Sequence, residues 1–164
     1  MENDIADSDD GISVSFWVQG CPFRCSGCHN PQSWDFEGGK ELPPDYIDQI
    51  VSALNKNGIH RSLSILGGEP LCEQNLRIVF DLVFRVKTAF PEVRVFLWTG
   101  YTFEQLTERS ATESELRELL EYVDVLIDGL FDESKKDTRL RLRGSSNQRI
   151  FRKREGKFYD SSQE

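Results

Sequence analysis

Hydrophobic positions along the chain change period several times, and each change marks an element. Ser13 to Val18 (SVSFWV) is aromatic and β-branched and stops at Gln19-Gly20, which predicts a buried first strand. Pro43-Pro44 then opens a stretch in which Ile47, Ile50, Val51 and Leu54 recur at i, i+3, i+4 and i+7 before Asn57-Gly58, the pattern of an amphipathic helix. Leu63 to Leu66 (LSIL) is a second apolar run, closed by Gly67-Gly68. Leu76, Val79, Phe80 and Val83 give the next helical period, which has to end before Pro91. Val93 to Trp98 (VRVFLW) reads as a third strand with Thr99-Gly100-Tyr101 as its exit turn. Thr102 with Gln105, and Thr112 with Glu115, both have capping-box spacing, so two short helices or one interrupted helix follow. The second of them buries Leu116, Leu119, Leu120 and Val123. Val123 to Asp128 (VDVLID) reads as a fourth strand ending at Gly129, and beyond a polar, basic stretch an edge strand is expected at Gln148 to Phe151.

Strands alternating with helices imply an α/β fold with a mainly parallel sheet and right-handed crossovers. The 164 residues, 38% of them hydrophobic and 29% charged, suit one domain over 1–164. A complete eight-stranded α/β barrel takes about 250 residues, so any barrel here is partial and shortened. Mean hydropathy is −0.49, and no apolar run approaches the roughly 18 residues of a membrane span. The first ten residues are acidic and lack the basic start and apolar core of a secretory signal, so they are expected to form a flexible terminus. A net charge of −8 opposes general affinity for nucleic acid or anionic membranes, and neither is expected as a partner. Residues 135–164 run against that charge, with Arg139, Arg141, Arg143, Arg149, Arg152, Lys153 and Arg154. Such a run meets an anionic ligand or acidic partner, or is a solvated face.

The four cysteines stand at 21, 25, 28 and 72. Three of them share one short loop and cannot all form disulfides, so a reduced, cytoplasmic compartment is expected. Cys21-x3-Cys25-x2-Cys28, with Gly20 before it and Gly27 inside it, brings three thiolates toward one inorganic centre. Three soft ligands suit iron–sulfur or zinc. For zinc the fourth ligand would be His29 or Cys72, and His29 is adjacent to Cys28, where neighbouring side chains rarely point at one tetrahedral metal. Structural thiols without metal have no packing rationale on a Gly-rich loop. A four-iron cluster on three cysteines leaves one iron open for a substrate, and a fourth thiolate would close it, so Cys72 is assigned to packing. The cysteine loop, Gly67-Gly68, Thr99-Gly100 and Asp128-Gly129 all follow strand ends, the edge that carries ligand sites in parallel α/β folds. His60 has no partner in sequence and receives no role.

CxxxCxxC after the first strand, with Gly67-Gly68-Glu69-Pro70 after the second, resembles the radical S-adenosylmethionine (SAM) superfamily. The likeness narrows through Phe16-Trp17-Val18-Gln19-Gly20-Cys21-Pro22, Cys25-Ser26-Gly27-Cys28-His29-Asn30, Trp34, Trp98-Thr99-Gly100-Tyr101, Asp128-Gly129 and Arg143-Gly144-Ser145-Ser146-Asn147-Gln148. In that order these residues resemble the anaerobic ribonucleoside-triphosphate reductase-activating proteins over nearly all of residues 11–150. The family commonly has a Gly-Pro-Gly turn and an Arg before the first strand; here Asp10-Gly11-Ile12-Ser13 is shorter and Ser13 takes the Arg position. Where many radical SAM loops place an aromatic before the third cysteine, this chain has Gly27, with His29 following.

The resemblance implies a partial (β/α) barrel holding a [4Fe-4S] cluster on Cys21, Cys25 and Cys28, its open iron chelated by the amino and carboxylate groups of SAM. Reductive cleavage then gives a 5′-deoxyadenosyl radical that takes a hydrogen from a glycine in the large subunit of the reductase. It further implies that Gly67 and Gly68 hold the methionine end of SAM, with Glu69 near its ammonium. Thr99 and Gly100 fall on the ribose side, and Gly27, Cys28 and His29 beside the cluster and adenine. Trp98 and Trp34 are more often core than cofactor contacts, and Asp128 binds ligand or caps an exit turn. Arg143, Ser145 and Asn147 are expected to order the loop that receives the glycine or closes over SAM, with Arg149 and Arg152 assisting docking. A one-electron donor such as flavodoxin completes the set of partners. Two other readings remain: an activase of another glycyl-radical enzyme such as a formate lyase, usually longer and without RGSSNQ, and a non-catalytic iron–sulfur or zinc-binding module.

Overall fold

The computed structural model describes residues 2–8 and 11–163. In chain order the strands are β1 (Glu2–Ser8), β2 (Gly11–Val18), β3 (Ser62–Gly67), β4 (Val95–Trp98), β5 (Val125–Asp128), β6 (Arg149–Arg154) and β7 (Lys157–Asp160). Between them lie α1 (Tyr46–Leu54), α2 (Glu73–Ala89), α3 (Phe103–Ser110) and α4 (Ser114–Tyr122). All seven strands join one sheet in sequence order. The central strands β2 to β5 run parallel, as the alternation of strand and helix requires, while β1, β6 and β7 add antiparallel edges. The fold is therefore α/β with a mixed sheet and a parallel centre.

Register sorts the side chains into two faces. Val14, Leu63 and Val95 align across the sheet, as do Ile65, Leu97, Leu126 and Phe151, and these belong to the main core with Leu76, Val79, Val83, Leu106, Leu116 and Leu119 of the helices. The other face carries Ser15 and Ser64, paired and fully buried, then Phe96, Val125, Ile127 and Ile150 with Trp98 and Leu142 packed on them. With the helical core on one face, the ends of the parallel strands are left to carry loops.

Three expectations change. The acidic terminus pairs antiparallel with β2 over Glu2–Ser8 rather than fraying, because a strand edge recruits backbone N–H and C=O groups and needs no apolar pattern; residues 1, 9 and 10 of that expectation lie outside the described residues. Thr102 and Gln105 form the capping box of α3, but α4 starts from Glu113 without a side-chain cap. The Thr112 hydroxyl instead donates to Arg109 O of the preceding turn. The fourth strand begins at Val125 because Val123 still caps α4 and the Asp124 carboxylate accepts from Val95 N and Lys87 Nζ, each at 2.8 Å.

The basic tail is a hairpin whose cations meet internal acceptors. Arg154 pairs with Lys157 across Glu155-Gly156, both at positive φ (52° and 76°), as a two-residue hairpin turn requires. Lys153 Nζ donates to Leu120 O and Glu121 O at 2.7 Å, where the C-terminus of α4 favours a cation. Arg149 sits between Asp128 and Glu104.

Leu126 is fully buried in β5, so Leu126→Ala is expected to cost about 2–5 kcal/mol. Ile59→Ala, at an exposed loop position, is expected to stay within about 0.5 kcal/mol. Urea denaturation of both variants checks the difference; equal midpoints would mean that the sheet centre is not the packed core described.

Candidate functional site

The C-terminal ends of β2 to β5 open on a cavity of about 370 Å³. Cys21, Cys25 and Cys28 line it from the loop after β2, Gly67, Gly68 and Glu69 from the turn after β3, and Thr99 and Gly100 from the turn after β4. Gly129 and Phe131 after β5, Gln148 before β6, and His29, Trp34 and Trp98 complete its wall. Five segments of the chain thus meet at the edge where a parallel sheet places its ligands.

The cysteine loop is seated by backbone against backbone. Gly68 N donates to Val18 O and Glu69 N to Gly20 O, both at 2.8 Å. A Cβ on Gly68 would lie 2.2 Å from Gly20 O, and one on Gly67, whose φ is +110°, would lie 2.6 Å from Val18 O. The absent side chains therefore serve the contact between the two loops, a duty the sequence reading had not given them. Asn75, in the first turn of α2, fastens the same seam: its Nδ2 donates to Gln19 O at 3.0 Å, Gly20 O at 3.3 Å and Glu69 O at 3.0 Å. From the other side Gln19 Nε2 holds Asp35 O at 2.6 Å and Gln32 O at 3.0 Å, and Cys21 N donates to Trp34 O at 3.2 Å. Sequence reasoning missed Asn75, because an Asn in a first helical turn has no period or motif to set it apart.

Burial and neighbouring amides act on the cysteine thiols in opposite directions. Burial pushes the Cys21 thiol up, while N–H groups of Phe23 and Arg24 favour its thiolate. Burial likewise pushes up Cys25, opposed by the amide of Phe131. Asn30 N lies 3.4 Å from Cys28 Sγ. Among the described residues no three His, Cys, Asp or Glu side chains close on a single-ion site. Cys72, the N-cap of α2, is 2% exposed and points its thiol at Glu69 O, 3.1 Å away and off the cavity wall.

Glu69 is 1% exposed and accepts from Leu71 N at 2.9 Å, Thr99 Oγ1 at 2.7 Å and Gly100 N at 2.7 Å. Burial pushes its carboxyl up to about 7 against the pull of these donors. It ties the turns after β3 and β4 together, and Gly100 is a glycine because a Cβ there would strike the Phe23 ring at 2.5 Å. Asp128, equally buried, accepts from Phe103 N and from Arg149, and so anchors the start of α3 away from the cavity wall. Trp34 and Trp98 stand on the wall, and Trp98 also packs on the Phe96 face of the sheet, its Nε1 donating to Leu142 O at 2.6 Å. His60 is exposed.

The RGSSNQ segment grips the loop after β5. Arg143 donates to Gln148 O at 2.8 Å and Ser162 O at 2.7 Å, and Asp132 N donates to Ser145 Oγ at 3.1 Å. Asn147 Nδ2 holds Leu130 O at 2.8 Å, and Gln148 Nε2 holds Gly129 O at 3.0 Å. Of the Arg143, Ser145, Asn147 and Gln148 side chains, only Gln148 belongs to the cavity lining. Arg149 is committed to Asp128 and Glu104, and Arg152 lies on β6 opposite Val125.

A family model described as a 4Fe-4S single cluster domain matches residues 9–151. The chain is 38% identical over 143 residues to the anaerobic ribonucleoside-triphosphate reductase-activating protein of Vibrio cholerae serotype O1, covering 87% of this chain and 88% of that one. The protein of the same name from Enterobacteria phage T4 is 36% identical over 146 residues (89% and 87%), and that from Escherichia coli K12 is 35% identical over 139 residues (84% and 86%). No solved structure matches the chain.

Gly68→Ala drives a methyl group into the Gly20 carbonyl, so the cysteine loop has to leave its seat. The expected result is a several-fold loss of bound iron and sulfide after anaerobic reconstitution, with far-ultraviolet circular dichroism unchanged. Full cluster content in Gly68→Ala would show that the seam is slack.

Proposed function

The chain belongs to the family of anaerobic ribonucleoside-triphosphate reductase-activating proteins and carries a 4Fe-4S single cluster domain, and we propose that it installs the glycyl radical of such a reductase by radical SAM chemistry. The observation that carries this reading is the meeting of three cysteines and the Gly67-Gly68-Glu69 turn on one cavity. The donor set fits the cofactor: three thiols on one cavity, with Asn30 N 3.4 Å from the Cys28 sulfur, and a fourth thiol turned to a backbone carbonyl, leave one iron open. When bound, the reduced cluster supplies one electron to SAM, giving methionine and a 5′-deoxyadenosyl radical that removes a hydrogen from a glycine of the reductase.

The protein's part is placement and shielding. Cys21, Cys25 and Cys28 hold the cluster. The turn after β3 offers backbone groups to the methionine end, and the Glu69 carboxyl, raised to about 7 by burial, ionises when the ammonium of SAM comes beside it. Thr99 and Gly100 border the ribose, and Gly27 and His29 the adenine. Trp34, Trp98, Phe131 and Leu142 keep water from a radical that would otherwise be quenched. Arg143, Ser145 and Asn147 order the loop that receives the partner's glycine; Arg152 assists docking, on a strand whose position Arg149 fixes. The helical core on one sheet face, with loops at the parallel strand ends, supports reading the fold as a shortened (β/α) barrel. A one-electron donor such as flavodoxin serves it in the cytoplasm, a compartment that keeps thiols reduced. No helix among the described residues is long and apolar enough to cross a membrane.

The reconstituted protein is expected to be brown, to change its reduced electron paramagnetic resonance (EPR) spectrum when SAM is added, and to yield a glycyl radical and 5′-deoxyadenosine on mixing with reductase and reductant. A brown protein whose spectrum ignores SAM would overturn the reading in favour of a non-catalytic iron–sulfur module.

A further inference from the structure

Beside the cluster cavity lies a second space, of about 410 Å³, along the excursion of the chain between β5 and β6. The two spaces share His29, Trp98, Phe131, Leu142 and Gln148, so a chain lying in the second runs alongside the first. Lys136, Thr138 and Leu140 belong to the second space alone, and none of them is a cysteine-loop or RGSSNQ residue. Their segment is held in place by backbone pairing. Lys136 bridges Ser145 antiparallel, Asp137 N donates to Gly144 O at 3.1 Å, and Ser146 N donates to Lys135 O at 2.9 Å. Leu142, on the wall common to both spaces, has φ +61°. A residue with a Cβ keeps that left-handed conformation only where its surroundings hold it, and such positions cluster at ligand sites. Here Trp98 Nε1 holds the Leu142 carbonyl at 2.6 Å. The charged side chains of the second space are Lys136 and Arg143, and no Asp or Glu lines it, although the whole chain carries a net charge of −8.

We propose that this second space is a groove that binds, in extended form, the segment of the reductase that carries the glycine, with Leu140 and Phe131 against its side chains and Lys136 toward its carbonyl oxygens. The inference rests on the reading that the neighbouring cavity holds the cluster and SAM, and it assigns the protein substrate a place on this chain. Two observations favour that occupant. The hydrogen is taken from a main-chain carbon, so a stretch of substrate backbone has to lie beside the cluster cavity, and this groove adjoins it along five shared residues. A lining with cations, apolar side chains and no carboxylate also complements a peptide, which presents carbonyl oxygens in a row between its side chains.

Thr138 is exposed and Leu140 half-buried, outside the buried core, so both can be changed without emptying it. Thr138→Trp fills the groove, and Leu140→Ser removes its apolar wall. The cluster-loaded full chain is mixed with SAM, reductant and increasing amounts of reductase, and the glycyl radical is read by EPR. Thr138→Trp is expected to raise the reductase concentration for half-maximal radical yield about tenfold, the size of effect that follows from losing a central interface contact. Leu140→Ser is expected to raise it several-fold. In both variants the change that SAM makes in the reduced EPR spectrum, measured without reductase, is expected to match the wild type. With the wild-type chain, a short synthetic peptide centred on the reductase's radical-bearing glycine is expected to compete with the reductase, and with Thr138→Trp to compete less well. A wild-type dependence on reductase in either variant, or a peptide that does not compete with the wild-type chain, overturns the proposal. Loss of the SAM response in the variants also overturns it, since the groove would then belong to the cofactor site. A wild-type chain whose own spectrum ignores SAM would instead refute the reading on which the inference rests.

Discussion

Two backbone segments approach so closely behind the cavity that neither tolerates a side chain at the point of contact. Gly67 and Gly68 lie against Val18 and Gly20, with the Gly68 and Glu69 amides bonded to the Val18 and Gly20 carbonyls. Everything the site does depends on this seam, because it turns the end of β2 and the end of β3 into one rigid corner. Asn75 locks the corner from α2, and Glu69 carries it on to the turn after β4. A loop with three thiols and two glycines would otherwise be too mobile to hold sulfur atoms ready for a cluster, since glycine adds backbone freedom that has to be removed elsewhere.

Polar groups around the cavity are spent on one another in a particular way. Glu69, Thr99 and Gln148 all line the cavity while their side chains are bonded to the next loop. A ligand that enters therefore meets groups already oriented, at little further cost in order. The charged residues of the C-terminal hairpin follow the same logic farther out. Arg149 neutralises Asp128 and Glu104, and Lys153 caps α4, so these two cations are used to close the sheet.

Elements with a strong period were legible in the sequence: the four parallel strands and the helices between them follow from alternating and 3.6-residue patterns, and the ligand edge follows from their order. The cysteine loop was legible because three soft ligands at that spacing admit few chemistries. What stayed hidden depends on backbone groups that carry no sequence signature. β1 is recruited by an open edge, Asn75 by three carbonyls that meet only after folding, and the glycine pair by the close approach of a neighbouring strand end. Thr112 and Glu115 had the right spacing for a capping box, but Thr112 is used one turn earlier, where Arg109 offers a carbonyl.

In the function proposed, three cysteines hold the cluster while the fourth, its thiol donating to the Glu69 carbonyl, leaves one iron free for SAM. That assignment is tested most directly by replacing each cysteine with serine and measuring iron, sulfide and the EPR response to SAM under anaerobic conditions. Cys21→Ser, Cys25→Ser and Cys28→Ser should lose the stable cluster, and Cys72→Ser should keep both the cluster and its response to SAM. A Cys72→Ser protein that loses its cluster, while one of the other three keeps it, would contradict the account.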